Sequence, residues 1–362
     1  MSIETDLKKD GIEVIEELNI ETINLISKRI ANKIFETFNN FYLNPNEIFN
    51  KLCKLNMYKA KMPEGMAEAV YFYKNSSIYF NEHIANEDLE EFAIHECIHF
   101  LQENKDENGK LVRMGHCIYK KNKPRGMGLN EAAVQYMAAK IIGITPDFEK
   151  YYGINLMTPS PSYYPLECAL LKQITYFIGD DILFKSTLFS NDEFKDALIK
   201  TTSKEFYYSV VDAFDEILEL EEKIINSNNK LAEINNRNIF AKNLTSKIDK
   251  YKDKIATTFM TTQNLIISGF FDINLKNIRT LEEIEYYRKK LYKFSDIIGT
   301  MPGYSFFDNY YVESMNKLEH MCNILENGGN ETALEYFSYG KFRTFLIKFK
   351  NFFSKNKDEQ TM

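Results

Sequence analysis

Tryptophan is absent from this chain of 362 residues, and histidine occurs only five times. Cysteine is also scarce: the five residues Cys53, Cys97, Cys117, Cys168 and Cys322 are odd in number, widely spaced and never arranged as C-x-x-C. That pattern predicts reduced thiols in a cytoplasmic protein. No run approaches the ~18 consecutive apolar residues of a membrane span; the longest candidate, around Leu265 to Ile273, is too short. No apolar stretch of roughly 7–15 residues follows the charged start, so no secretory leader is expected. Acidic residues outnumber basic ones, for a net charge of −7. This disfavours a nucleic acid as partner of the whole molecule.

What is present is a large apolar and aromatic complement, 44% and 14% of residues, enough to bury a sizeable core. Helical patterns dominate. Ile15, Leu18, Ile23, Ile26, Ile30, Ile34 and Phe38 recur at helical spacing and predict one amphipathic helix over 11–40. Asn44-Pro45-Asn46-Glu47 reads as a helix start, with the helix running to about Leu55. The clearest β signal is the aromatic, β-branched pair of runs 69–73 and 77–80 around Asn75-Ser76, which predicts a hairpin. Residues 87–103 read as a helix capped by Asn86, and 111–119 as a further strand. A helix from Leu129 to about Ile142 is closed by Gly143, and another begins near Tyr164-Pro165. Long helices are expected at about 204–228, 238–268, 280–297 and 308–327. The fold class is therefore mainly α with a small β-sheet, α+β, divided as 1–65, 66–180, 181–330 and 331–362.

The scarcity of histidine gives weight to His95-Glu96-Cys97-Ile98-His99. Histidines at i and i+4 lie one above the other on a helix, so both imidazoles can reach one metal ion. Glu96 is then placed to act on a water beside that ion, while Cys97 faces away and reads as core. A catalytic zinc site takes three protein ligands and keeps one position open. A histidine six residues beyond His99 would complete one pattern, but that position is Lys105. His116 is a donor with no recognisable spacing. Glu131, in Gly128-Leu129-Asn130-Glu131, is the best candidate for third ligand.

In these two elements the chain resembles the gluzincin-type metallopeptidases, in which a helix bearing H-E-x-x-H is followed by one supplying a Glu, often as Asn-Glu. The resemblance covers about 66–180 and implies a zincin-like core holding one Zn2+ per chain through His95, His99 and Glu131. It implies hydrolysis of a peptide or protein substrate, with Glu96 as general base. The class often places an acid four residues after the ligand Glu. Here that residue is Gln135, which can orient a histidine without adding charge. Asn130 joins Gln135 as an expected support of the ligands. A donor to the developing oxyanion is also needed; Tyr164 leads, followed by Tyr163 and His116, with Tyr136 on a less suitable face.

Two other readings stand beside this one. A zincin fold kept for binding or regulation would need the ligands but not Glu96, with the helical half recruiting a partner. At the C-terminal end, Phe342, Phe345, Leu346, Phe349, Phe352 and Phe353 line one side of an expected helix, flanked by Lys341, Arg343, Lys348, Lys350 and Lys355. Segment 342–355 would dock its Phe face on the helical bundle, the favoured reading, or make peripheral contact with an anionic membrane surface.

Overall fold

A computed structural model describes residues 3–63, 65–120, 123–232, 239–299 and 306–327. The helix expected at 342–355 lies outside them. The chain is mostly helical with small sheets, the α+β class expected.

The N-terminal part departs from the single helix predicted over 11–40. A short helix α1 (Ile3–Lys9) ends before Gly11, whose φ of +74° stops the helix. Strand β1 (Glu13–Glu17) follows, and only then α2 (Ile20–Thr37), capped by the Asn19 side chain, which accepts from the Thr22 amide at 2.9 Å. The helical periodicity was genuine from Ile23 to Phe38, where its members Ile23, Ile26, Ile30, Ile34 and Phe38 are all buried. It failed over Val14 and Ile15 because β1 is an exposed outer strand whose faces carry no alternation to read. Helix α3 (Pro45–Leu52) starts at the Asn44 cap as expected but ends earlier than Leu55.

Strand β2 (Asn56–Lys61) was not legible in the sequence. Its two lysines hide the alternation, yet Lys59 is buried and donates its ammonium to the Ile84 carbonyl. Strands β3 (Ala69–Phe72) and β4 (Ser77–Asn81) form the predicted hairpin. The sheet order is β1-β2-β4-β3; β2 and β4 run parallel, the other pairs antiparallel, and β3 is an outer strand.

The motif helix α4 (Leu89–Leu101) packs under this sheet. A four-stranded meander then forms: β5 (Glu103–Lys105), β6 (Leu111–Met114), β7 (Cys117–Lys120) and β8 (Lys123–Arg125). The single strand predicted over 111–119 is thus two strands, turned at Gly115 (φ +54°). Helix α5 (Met127–Ile142) ends at Gly143 in a left-handed cap, as predicted. A hairpin of β9 (Asp147–Tyr151) and β10 (Ile154–Thr158) turns on Tyr152 and Gly153, both at positive φ, and precedes α6 (Pro165–Ile178). Two residues at positive φ form the two-residue turn that matches strand twist, but Tyr-Gly is a weak signal for it.

Helices α7 (Asp180–Leu188), α8 (Glu193–Thr201), α9 (Lys204–Ala232), α10 (Ile239–Asn277), α11 (Leu281–Ile298) and α12 (Phe306–Glu326) complete the described chain. One apolar core runs from Leu18 to Phe270, crossing the expected boundary at residue 180, so α9 and α10 share packing with α4, α5 and α6. A second core joins the end of α10 to α11 and α12. Phe177 of α6 bridges to it, stacked on Phe270 at 4.2 Å between ring centroids. Among the described residues no helix is long and apolar enough to cross a membrane, and all five cysteines are unpaired.

Candidate metal centre

Helices α4 and α5 pack face to face and bring three predicted ligands together. His95 Nε2 and His99 Nε2 are 3.0 Å apart; Glu131 Oε2 lies 3.2 Å from the first and 3.3 Å from the second. The three form a group that could hold a metal ion. A tetrahedron drawn on metal–ligand bonds of roughly 2.0–2.1 Å has edges of about 3.3 Å. The donor triangle therefore has nearly the size of one tetrahedral face. Burial pushes the Glu131 carboxyl up, but the adjacent imidazoles of His99 and His95 outweigh it and hold the carboxyl below its usual range.

A chain of hydrogen bonds sets the orientation of His95. The Ser160 hydroxyl donates to the Tyr163 carbonyl at 2.7 Å, so it accepts from the Gln135 amide NH2 at 3.0 Å. That turns the Gln135 carbonyl oxygen toward His95 Nδ1, 2.9 Å away. With Nδ1–H donating there, the Nε2 lone pair faces the other two donors, which is what a metal ligand requires. Ser160, in the loop after β10, was not anticipated.

Support of His99 is different. Asn130 Oδ1 accepts the His116 backbone amide at 3.0 Å, and its NH2 donates to Gln102 Oε1 at 3.3 Å. Gln102 in turn donates to the Thr187 carbonyl at 3.0 Å. Asn130 thus shows His99 Nδ1 its NH2, at 3.4 Å, and offers that nitrogen no acceptor. Gly115 makes this packing feasible, because a Cβ there would come within 2.0 Å of Asn130 Oδ1 and 2.6 Å of Gln102 Nε2.

His116 is not part of the donor group. It is buried behind Asn130, its Nε2 is 2.9 Å from the Thr187 hydroxyl, and burial pushes it down to about 3. It holds the scaffold as a neutral ring. Tyr163 is likewise committed elsewhere, donating to Glu68 Oε2 at 2.7 Å.

Glu96 is buried beside the donors, near the backbone amide of Tyr71 on β3. Burial raises its carboxyl to about 7, with His95 pulling down and Glu131 pushing up. Tyr164 caps α6, with its ring stacked on His95 at 6.1 Å and an interplanar angle of 22°. Its φ of +48° is a left-handed conformation costly for a tyrosine, and a following Pro165 restricts it further. Strain of this kind persists where surrounding structure imposes it, often at functional sites. Cys97 sits fully buried on the opposite face of α4, as expected.

No family model, no curated protein and no solved structure matches the chain.

Proposed function

We propose that this protein is a zinc-dependent peptide hydrolase with a zincin-like core. The observation that carries the reading is the His95–His99–Glu131 triangle with the unliganded, buried Glu96 alongside it. Two imidazoles and one carboxylate are a donor set suited to zinc, and three protein ligands leave a position open. A metal-stabilised binding protein would have no use for an additional buried carboxyl, which burial makes costly; the presence of Glu96 favours catalysis.

Zinc bound there would supply a Lewis acid that polarises the scissile carbonyl and makes water acidic near neutrality. The residues of the chain supply the rest. Glu96 takes a proton from the attacking water and passes it to the leaving amine, the role of a general base held beside the donors. Tyr164, ringed against His95, donates to the developing oxyanion; burial and the nearby carboxylates keep its hydroxyl protonated. Gln135 and Ser160 keep His95 in the metal-ready tautomer. The outer edge of β3, beside Glu96, would take an extended peptide or protein segment by β-pairing.

Metal analysis should find one zinc per chain, and incubation with a denatured protein should release new amino termini. A chelator should stop that release and added zinc restore it. A chain that binds no zinc, or whose hydrolysis ignores the chelator, would overturn the reading. Tyr164→Phe keeps the stacked ring and loses only the hydroxyl. It should lower turnover by ~100-fold with zinc content unchanged; undiminished turnover would remove Tyr164 from the mechanism.

A further inference from the structure

The loop 159–164, between β10 and α6, is tied down at both ends. At one end Ser160 accepts from Gln135 and so holds His95, while the Tyr164 ring stacks on the same imidazole. At the other, the Tyr163 hydroxyl donates to Glu68 Oε2 at 2.7 Å. Burial and the bond to the Glu68 carboxylate push the Tyr163 hydroxyl up, so it remains a donor at neutral pH. The loop is also tied across itself, because Ser160 Oγ donates to the Tyr163 carbonyl at 2.7 Å. Pro159 and Pro161 fix two of its φ angles. It is a braced bridge between a metal ligand and Glu68, the residue immediately before β3.

The position of that bridge along β3 follows from the strand's register. The Glu68 carbonyl accepts the Asn81 amide at 2.8 Å, so Glu68 turns its backbone toward β4. Bonded and non-bonded residues alternate along an antiparallel pair. Val70 and Phe72 therefore also face β4, and Ala69 and Tyr71 turn their N–H and C=O groups to the free edge. Tyr71 is the residue beside Glu96. A chain paired on this edge with its reacting bond at Glu96 would lie opposite Tyr71, Val70 and Ala69, and then meet the bridge at Glu68. That leaves about three residues, or roughly 10 Å at the rise of a strand. At the opposite end β3 runs out through Tyr73, 37% exposed, whose ring lies beside that of Tyr119 with centroids 6.3 Å apart. That end carries a ring contact at an exposed residue in place of a hydrogen-bonded bridge.

We propose that the Tyr163–Glu68 bond straps one end of the cleft shut, so that the substrate is the end of a peptide chain and loses a fragment of no more than three residues. The substrate class rests on the hydrolase reading; the strap itself requires no zinc. A chain threading past the strap would have to break the Tyr163–Glu68 bond, and a chain end stops at it.

Three variants of the full chain test this. Glu68→Ala removes the acceptor and Tyr163→Phe the donor, whereas Glu68→Gln keeps an oxygen for the hydroxyl. Hydrogen exchange read by mass spectrometry on the zinc-free chain reports the strap directly. Amides of 159–164 should exchange about tenfold or more faster in Glu68→Ala and Tyr163→Phe, the effect of losing one hydrogen bond to a charged group. Glu68→Gln should stay near the unaltered rate. A tryptic digest of casein, which offers peptides of many lengths and sequences, reports the substrate class. With zinc present the unaltered chain should release from it fragments of one to three residues, all from the same terminus. Glu68→Ala and Tyr163→Phe should cut internal bonds as well. Internal cleavage by the unaltered chain, product lengths unchanged in both strap-breaking variants, or exchange of 159–164 unchanged in both would overturn the strap. The two proposals fail separately: the exchange contrast with no zinc-dependent hydrolysis would sink the peptidase reading alone, and zinc-dependent hydrolysis at internal bonds of the unaltered chain would sink the strap alone.

Discussion

Replacing Glu96 with Gln is expected to leave one zinc on the chain and to lower peptide hydrolysis by ~10²–10⁴-fold, the range for loss of a positioned general base. The two side chains have the same shape, and Gln keeps an oxygen to face the Tyr71 backbone, so α4 and β3 should keep their packing. Glu96 lies outside the His95–His99–Glu131 triangle, so zinc content should not change. The paired control is His95→Ala with Glu131→Ala. That chain loses two of three donors and should lose both the metal and all turnover, because the remaining His99 cannot hold zinc alone. Metal analysis and amino-terminus release on the same preparations distinguish the outcomes. Full activity in Glu96→Gln would exclude Glu96 as base. Zinc retained after both ligand changes would sink the site assignment.

The donor set was legible because its spacing is local. His95 and His99 share one helix face by periodicity alone, and Glu131 follows a recognisable Asn on the next helix. What holds these donors in place was mostly illegible, because it comes from distant segments. Ser160 orients Gln135 from a loop 25 residues further on, and Thr187 reaches back 85 residues to Gln102. Neither link leaves a trace in periodicity. Among the elements, helices with long apolar stripes were found at about their observed positions. The strands missed, β1, β2, β5, β8, β9 and β10, are short, and two of them defeat alternation outright. β1 is exposed on every residue, while β2 buries a lysine. The turn at Gly115 was missed for a related reason: the need for glycine there comes from Asn130 and Gln102, not from neighbours in sequence.

Gly128→Ala is expected to destabilise the chain by about 1–3 kcal/mol or more and to weaken zinc binding as well, although residue 128 touches no ligand. At this glycine the first turn of α5 meets the backbone of α9. An added Cβ would come within 2.2 Å of the Phe214 carbonyl oxygen and 2.9 Å of the Asp215 nitrogen, and neither belongs to a side chain that could rotate away. The helices must separate. Their contact is also a cap: Asp215 of α9 accepts the amides of Gly126 and Gly128, each at 2.8 Å, satisfying two of the orphan donors at the start of α5. Glu131 lies one turn further along. Moving that turn shifts the carboxylate relative to two imidazoles anchored on α4, and disturbing the support of a metal ligand typically costs 10–100-fold in affinity. Asp215→Ala should act the same way through the lost cap, costing about 0.5–2 kcal/mol. Gly143→Ala supplies the contrast at the other end of the helix. Its φ of +85° makes alanine strained, but a Cβ there meets no atom within 4 Å. It should lower the denaturation midpoint while leaving zinc affinity unchanged. Chelator competition and chemical denaturation on the three variants would decide the point. If Gly128→Ala lost stability but kept full zinc affinity, α9 would be packing against the site without holding it; a joint loss in Gly128→Ala and Asp215→Ala, absent from Gly143→Ala, would make the long helix part of the metal centre's frame.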